Sequence, residues 1–460
     1  MVGVIGPYAA LGVILLGFVF WMIDPIPPRH LRLATGSTSG SYHEIFGPRY
    51  QEQLKHVGIE VELIPSKGAI ENLRLLQTHQ VDAAFFSTLS PTAKESPEVK
   101  PLLTASKQVT SLGTLLVQPL WIFYRADAAR RYHHNLGLHQ LHQGNHPDTL
   151  KDLRDFKGWR FNIGHMGGAS REILLEVFKM GAGLKASDFQ ASAEEYGPAA
   201  AYLLAGQVDA IGFTAIPELP LVQHLLTDPN IRLFEFSQAS AYARQIPQLR
   251  AVMLPRGIAD LHGDIPSHDI PLIATTGSLL VHDDTHPALQ VLLAQAAQHI
   301  HSPPSWVQQR NEFPKAETDD FPLDSEAAQF YRNGPPRLQH LLPFWAANLI
   351  DRMWLAVLSI VIIVMPLMRG IPPIYVLQVR WRIFRWYRKL QTIDDELVSG
   401  KTPPDELMQR LNALDARVAM IEMPSWNSAA LYALRAHIAL VQKNIQASQA
   451  QAQAPALAQA

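Results

Sequence analysis

The four residues Gln-Val-Asp-Ala occur twice, at 80–83 and again at 207–210, and each copy closes a similar run of elements. Upstream of the first lies LRLATGSTSGSYHEIFGPRYQEQLKHVGIEVELIPSKGAIENLRLL. Upstream of the second lies WRFNIGHMGGASREILLEVFKMGAGLKASDFQASAEEYGPAAAYLL. Both read as strand, Gly-rich turn, helix, connection, helix, and then the strand that the motif opens. LRLAT and IEVELI are alternating or β-branched and predict strands. Ile45, Phe46, Tyr50 and Leu54 recur at helical spacing. The interval from Gly36 to Gln80 and that from Gly164 to Gln207 differ by one residue. Two units matched in order and length predict two α/β lobes, each with a parallel sheet.

The segments around the units say how the chain moves between them. LGTLLVQPLWIFYR predicts one or two strands, and YHHNLGLHQLHQGNHPDTL a His-rich loop. After the second unit, RLFEFS and PLIATTGSLLVHDD predict strands and ALQVLLAQAAQHIH a helix. The expected path leaves lobe 1 near 117–123, builds lobe 2, and returns between about 245 and 280. Lobe 1 then comprises about 31–118 and 250–320, and lobe 2 about 119–249. Two lobes joined by crossing segments form a hinge, with a cleft between them as the natural ligand site.

The ends of the chain add apolar segments. Residues 6–23, GPYAALGVILLGFVFWMI, carry no charge and approach the roughly 20 residues of a spanning helix. A cleavable signal peptide is the rival, but no Lys or Arg precedes the run and no small-x-small site follows it. A second run, MWLAVLSIVIIVMPLM at 353–368, extends back toward Trp345. Arg369, Arg380, Arg382, Arg385, Arg388 and Lys389 follow it among aromatic residues and without an acidic one. That basic flank is the positive-inside signature and argues against a buried core helix. The expected organisation is a cytoplasmic N-terminus at 1–5, a span at 6–23, an extracytoplasmic domain at 24–348 and a second span at 349–369. A cytoplasmic basic helix and αα-hairpin at 370–448 follow, with the hairpin turning at Pro424 and Ser425, and then a disordered Ala/Gln tail at 449–460. The expected location is a bacterial cytoplasmic membrane, with the main domain outside. The net charge of −2 gives no reason to expect nucleic acid, and the absence of cysteine excludes disulfides and thiolate sites.

Three Gly-rich turns supply the candidate chemistry. In GSTSGSYHEIF glycines allow a tight turn, and hydroxyls stand beside the first turn of a helix. The first backbone N–H groups of a helix have no internal partner and, with the helix dipole, favour an anion such as a carboxylate. SKGAIENL and HMGGASREI repeat the arrangement. The candidate contacts are Ser37, Thr38, Ser39, Gly40, Ser41 and Tyr42 from the first turn, and Ser66, Gly68, Ala69 and Asn72 from the second. Lobe 2 contributes His165, Gly167, Gly168, Ala169, Ser170 and Arg171. The strands opened by the motif contribute Ser87 and Thr88 in lobe 1, and Thr214, Ala215 and Pro217 in lobe 2. Tyr42 could cap the ligand and Arg171 could pair with a carboxylate. The plain alternative is that such turns serve only as helix caps and that Arg171 is solvated.

These stretches resemble the TAXI family, the extracytoplasmic solute receptors associated with TRAP transporters. The resemblance rests on ATGSTSGSY at 34–42, SKGAIENLRLL at 66–76, GHMGGASR at 164–171 and GQVDAIGFTAIP at 206–217, over roughly residues 31–300. It implies a type II periplasmic-binding-protein-like fold, a two-lobed flytrap, that hands a small organic solute to a membrane permease. Glutamate-like or dicarboxylate-like ligands are implied with it. The apolar run at 353–368 with its basic flank resembles a membrane-anchored subgroup. Two departures stand out: Ala69 where the family often has Ser, and GGAS at 167–170 where it has a Gly-Ser-Gly-Thr run. Both remove hydroxyl donors and shift weight to backbone amides.

Other chemistries fit less well. No cysteine, G-x-S-x-G elbow or phosphate-binding G-x-x-x-x-G-K-[ST] is present, so an enzyme is not expected, nor any cofactor. Asp82 and Asp209 sit where a helix gives way to a strand, which suits a structural turn contact. His133, His134, His139, His142 and His146 include pairs at metal-binding spacing. Interleaved Gly137, Gly144 and Pro147 argue against a helix there, so no metal is expected. The alternative to transport is a membrane receptor that passes closure to a partner of the helical hairpin.

Overall fold

A computed structural model describes residues 2–23, 28–135, 148–318, 320–335, 344–420 and 429–457. The chain divides into two compact units, Pro25–Asp351 and the two ends Met1–Asp24 with Arg352–Ala460. Helix α1 (Val2–Ile23) opens the chain. In the larger unit, lobe 1 runs β1 (His30–Gly36), α2 (Gly47–Lys55), β2 (Glu60–Pro65), α3 (Ala69–Gln77), β3 (Ala83–Ser87), short helices α4 (Pro91–Lys94) and α5 (Val99–Ala105), and then β4 (Val109–Arg125). Lobe 2 follows with α6 (Ala126–Asn135), β5 (Arg160–Asn162), α7 (Ala169–Ala182), β6 (Gln190–Ser192), α8 (Tyr196–Leu204), β7 (Ala210–Thr214), α9 (Pro220–Thr227), β8 (Ile231–Leu233) and α10 (Ala239–Gln245). The chain returns through β9 (Arg250–Leu254) and β10 (Ile270–His282) to α11 (Pro287–His301) and α12 (Ser325–Asn333).

The strands follow one path, β2-β1-β3-β10-β4-β7-β5-β6, with β8 on β4 and β9 on β10. In each lobe three parallel strands carry one antiparallel neighbour: β10 beside β3, and β4 beside β7. The repeat in the sequence is thus a repeat in topology, and the α/β two-lobed fold expected from it is present. Strand β4 is a single strand, not two. Its first part pairs with β10 as far as Pro119 opposite Ala274, and Leu120–Tyr124 pair with β7. Proline cannot donate to a ladder, so Pro119 falls where β4 leaves one sheet for the other. Its carbonyl accepts the Ala215 N–H at 3.3 Å.

The motif's aspartates do structural work. Asp82 accepts the Arg32 N–H at 2.7 Å and its guanidinium at 2.8 and 3.2 Å, while its own N–H donates to the Arg32 carbonyl at 2.9 Å. Asp209 repeats this with Arg160, whose guanidinium donates at 2.9 and 2.6 Å, and adds Arg131 at 3.1 Å. Each pair ties the first strand of its lobe to the strand the motif opens.

Some elements differ from the expectation. Helix α2 is preceded by a π-helical turn, Tyr42–Phe46, because Pro48 lacks an N–H and interrupts the regular ladder. His133 and His134 end a helix rather than sitting in a loop, and His133 Nε2 pairs with the Thr149 carbonyl at 3.1 Å. His139, His142 and His146 lie outside the described residues.

In the second unit, α13 (Phe344–Ser399) runs unbroken through the point at 369 where a boundary was expected, and α14 (Pro404–Ala419) and α15 (Ala429–Leu457) follow. Prolines disturb their own turn of a helix, while the turns on either side continue the axis. Leu390 and Ile393 of α13 pack with Leu407, Leu411, Leu414 and Val418 of α14 and Leu434, Ile438, Val441 and Ile445 of α15. The hairpin is therefore completed by a third helix. The turn expected at Pro424 and Ser425 lies outside the described residues. The Ala/Gln-rich end, expected to be disordered from 449, is helical to Leu457, in keeping with the high helix propensity of both residues. Where side chains are described, no helix is long and apolar enough to cross a membrane. Within α1 those side chains are Ala10 and residues 12–21, about half a span. Among them Val13, Ile14 and Trp21 are exposed, as are Trp354, Leu355, Ile362 and Met365 of α13.

One buried group sets an acid limit. His301, at the end of α11, packs on Phe46 at 4.6 Å between ring centroids, and its Nε2 has no partner. Burial, with Arg49 adding to it, pushes the imidazole down to about 3. An unfolded chain takes up this proton near pH 6.5. Stability is therefore complete above that value and falls as pH drops toward 3, by up to about 1.4 kcal/mol per pH unit. Replacing His301 by Leu should shrink the loss between pH 6.5 and 4 by about 3 kcal/mol, measured by denaturant unfolding of the full chain.

Candidate functional site

The parallel strands β1, β3, β5 and β7 end at the hinge side of their lobes, where the Gly-rich turns gather. Between the lobes lies a cavity of about 60 Å³, lined by Thr35, Gly36, Ser37, Gly40, Ser41, Tyr42, Gly68, Ala69, Asn72, Phe85, Ser87, Gln118, His165, Gly168, Ala169, Ser170, Tyr196 and Thr214. That volume admits a few waters or a small solute.

The lobes are closed on it. Ser37 Oγ donates to Glu195 Oε2 at 2.6 Å, and the Ile216 N–H donates to Ser41 Oγ at 3.3 Å. His165 Nε2 pairs with the Lys67 carbonyl. A Cβ placed on Gly68 would lie 3.6 Å from the Gly168 Cα, so the second and third turns meet across the cleft. Farther out, Lys179 Nζ donates to Thr92 Oγ1 at 3.1 Å.

Helices α3 and α7 both begin at the cavity, after Gly68 and Gly168. Asn72 N–H is the first amide of α3 to bond within the helix, to Gly68, and Glu172 N–H the first of α7, to Gly168. The earlier amides of each helix have no partner inside it. The floor is a polar trio: Tyr42 Oη and Ser87 Oγ both reach Gln118 Oε1, at 3.3 and 3.0 Å, and lie 3.3 Å apart. Burial pushes the Tyr42 phenol up, against the Ser87 hydrogen bond that pulls it down, so Tyr42 is a neutral donor. Its ring stacks on Phe85 at 4.5 Å. Gly277 on β10 makes this possible, because a Cβ there would lie 2.0 Å from the Tyr42 oxygen. The lining contains no Lys, Arg, Asp or Glu. The cavity therefore offers dipoles and neutral donors to a solute, not a salt bridge.

A protein-family model described as the NMT1-like family matches residues 33–297, which takes in both lobes. The chain belongs to the NMT1-like family. No curated protein matches it. Among solved structures, the alkanesulfonate-binding protein SsuA of Xanthomonas axonopodis pv. citri bound to MOPS is similar at 17% identity, with a TM-score of 0.36 over 60% of this chain and 73% of that one. PhnD1 of Prochlorococcus marinus in complex with methylphosphonate is similar at 13% identity, with a TM-score of 0.37 over 60% and 85%. The periplasmic aliphatic sulphonate binding protein SsuA of Escherichia coli is similar at 15% identity, with a TM-score of 0.34 over 74% and 83%.

In this NMT1-like chain the expected residues Ser37, Gly40, Ser41, Tyr42, Gly68, Ala69, Asn72, Ser87, His165, Gly168, Ala169, Ser170 and Thr214 line the cavity. Thr38, Ser39, Ser66, Thr88, Gly167, Arg171, Ala215 and Pro217 do not. Several of these have other partners. Ser66 Oγ bonds to Asn72 and accepts the Gly68 N–H. Thr88 pairs with Thr276 of β10 at 2.8 Å, and the Ala215 carbonyl accepts Trp121 Nε1 at 2.9 Å. Arg171 Nη1 donates to the Gly164 carbonyl at 2.9 Å, within its own turn and outside the lining.

The sequence reading missed Thr35, Gly36, Phe85, Gln118 and Tyr196. Gln118 had a signal: it is a lone buried amide within the otherwise apolar run LLVQPLWIF. Tyr196 had none, because the connection that brings it over Phe213, at 5.1 Å, is irregular.

Glu195→Ala removes the Ser37 contact between the lobes and should weaken closure by roughly 1–2 kcal/mol. With no native cysteine, spin labels at Thr104→Cys and Lys185→Cys would report this as a larger fraction of long interlobe distances.

Proposed function

We propose that this protein is a membrane-anchored, extracytoplasmic solute-binding receptor that closes its lobes around a small carboxylate-bearing organic solute. An amino acid such as glutamate or a dicarboxylate fits this description. The observation that carries the reading is a small closed cavity, between lobes hinged by two strands, into which the N-termini of α3 and α7 open beside hydroxyls. Unpaired helix amides and the helix dipole stabilise an anion without a fixed positive charge. Binding rather than catalysis is proposed because the lining hydroxyls that have a base in reach use it within the protein: Ser37 Oγ donates to Glu195 across the closed lobes, and Thr35 Oγ1 pairs with His43 Nδ1 at 2.8 Å within lobe 1. Membership of the NMT1-like family supports the solute-binding role alone, and delivery of the solute to TRAP-type permease subunits in the same membrane is proposed on the likeness of the Gly-rich turns to TAXI receptors.

Anchoring by two spans is part of the proposal. The apolar, exposed side chains of α1 and α13 need an apolar surrounding, and a bilayer supplies one. The basic flank after residue 368 supports a cytoplasmic side for the three-helix cluster of α13, α14 and α15 in this proposal. That cluster also supports a second reading, a sensory receptor in which ligand-driven closure is passed to a cytoplasmic partner.

A thermal-shift screen of the full chain in detergent, over amino acids and dicarboxylates, should find a solute that stabilises it by about 2.7 kcal/mol at a hundredfold excess over Kd. Gly168→Leu should abolish that shift and leave the unliganded Tm within a few degrees, because the new side chain meets His165 at the cavity wall. No shift with any carboxylate, or a shift that survives Gly168→Leu, counts against the site. Topology is tested separately. A reporter fused after Lys389 should behave as cytoplasmic, and periplasmic activity there would overturn the two-span arrangement.

A further inference from the structure

The two lobes provide an internal comparison at the residue that precedes each Gln-Val-Asp-Ala motif. In lobe 2 it is Gly206, with φ 73°, in the left-handed region that glycine enters freely. In lobe 1 it is His79, with φ 53°. An imidazole therefore stands where the backbone favours glycine. Its ring lies 4.4 Å from that of His282, centroid to centroid, with the planes inclined by 51°. His282 ends β10 and is buried, and its Nδ1 lies 2.6 Å from Asp284 Oδ1 and 3.1 Å from Asp283 Oδ1. One ligand atom from each of His79, His282 and Asp284 falls within 4.8 Å of the other two.

We infer that His79, His282 and Asp284 form a binding site for a divalent transition-metal ion, with Zn²⁺ as the best chemical match. Two imidazoles and a carboxylate are a zinc donor set, and they leave a fourth tetrahedral position for water. Ligand atoms around such an ion sit about 3.4 Å apart, so small side-chain rotations close the three groups on it. Mg²⁺ and Ca²⁺ prefer oxygen alone and are poorly served by two nitrogens.

The position in the fold says what the ion does. Strand β3 runs from Ala83, paired with Val281 beside His282, to Ser87 in the cavity lining. The metal site is thus at the opposite end of the sheet from the solute. It ties the turn after α3 to the end of the returning strand β10. Arg32 joins this clasp to the motif, since it donates to the His79 carbonyl at 3.0 Å while holding Asp82. The role is structural, a clasp on lobe 1 that does not touch the ligand.

The test is a ZnCl₂ titration by calorimetry of the full-length, EDTA-stripped chain in detergent, with Co²⁺ absorption as a second readout. The wild type should bind an equivalent that gains Tm and gives visible Co²⁺ bands of a tetrahedral site, while MgCl₂ and CaCl₂ at the same concentration give neither. His79 is exposed, so His79→Ala should keep the metal-free Tm, lose that equivalent and its bands, and weaken Zn²⁺ binding at least tenfold. Asp284→Asn should do the same. The His-rich stretch near 133–146 is the competing location. A Zn²⁺ titration unchanged in both variants would place any bound ion elsewhere and overturn the assignment, as would a wild type that takes up no Zn²⁺.

Discussion

The larger unit depends on the antiparallel pairing of β4 with β10, which holds two otherwise separate sheets in one path. Pairing continues along β4 until Pro119, where a residue without an N–H interrupts the ladder and the strand passes to β7. Gln118 precedes that break and supplies the acceptor that organises Tyr42 and Ser87. The strand crossing and the cavity floor are therefore built from adjacent residues. Gly277, on the partner strand, admits Tyr42 to this position.

Each lobe is stabilised by a second device. The Arg32–Asp82 and Arg160–Asp209 pairs are partly exposed, and as ion pairs they contribute little. Their geometry matters more. Each aspartate receives a backbone N–H and a guanidinium from one strand and returns its own N–H to that strand, so pairing can settle in only one register. Sheet register decides which side chains face the core, and here it also decides that Ser87 and Thr214 arrive at the cleft.

The cavity holds its solute environment together without formal charge. Helix N-termini, hydroxyls and one buried phenol supply donors, while Arg171 is bonded within its own turn. An uncharged lining avoids the desolvation penalty of a buried cation and leaves donors whose direction is set by the backbone.

The sequence alone determined the two α/β lobes, their order and length, the Gly-rich turns and the strand ends that meet at the cleft, because strand and helix periodicity and turn chemistry are local properties. It also carried the signal for Gln118, a polar residue in an apolar run. Only the tertiary structure decided that Thr88, Ala215 and Arg171 have other partners, that Tyr196 and Phe85 join the lining, and that Gly277 must lack a side chain. It likewise brought His79 to His282 and Asp284, about 200 positions away in the chain. These depend on which residues face each other once strands far apart in sequence pair, and the pairing of β4 with β10 is a long-range contact that no local pattern encodes.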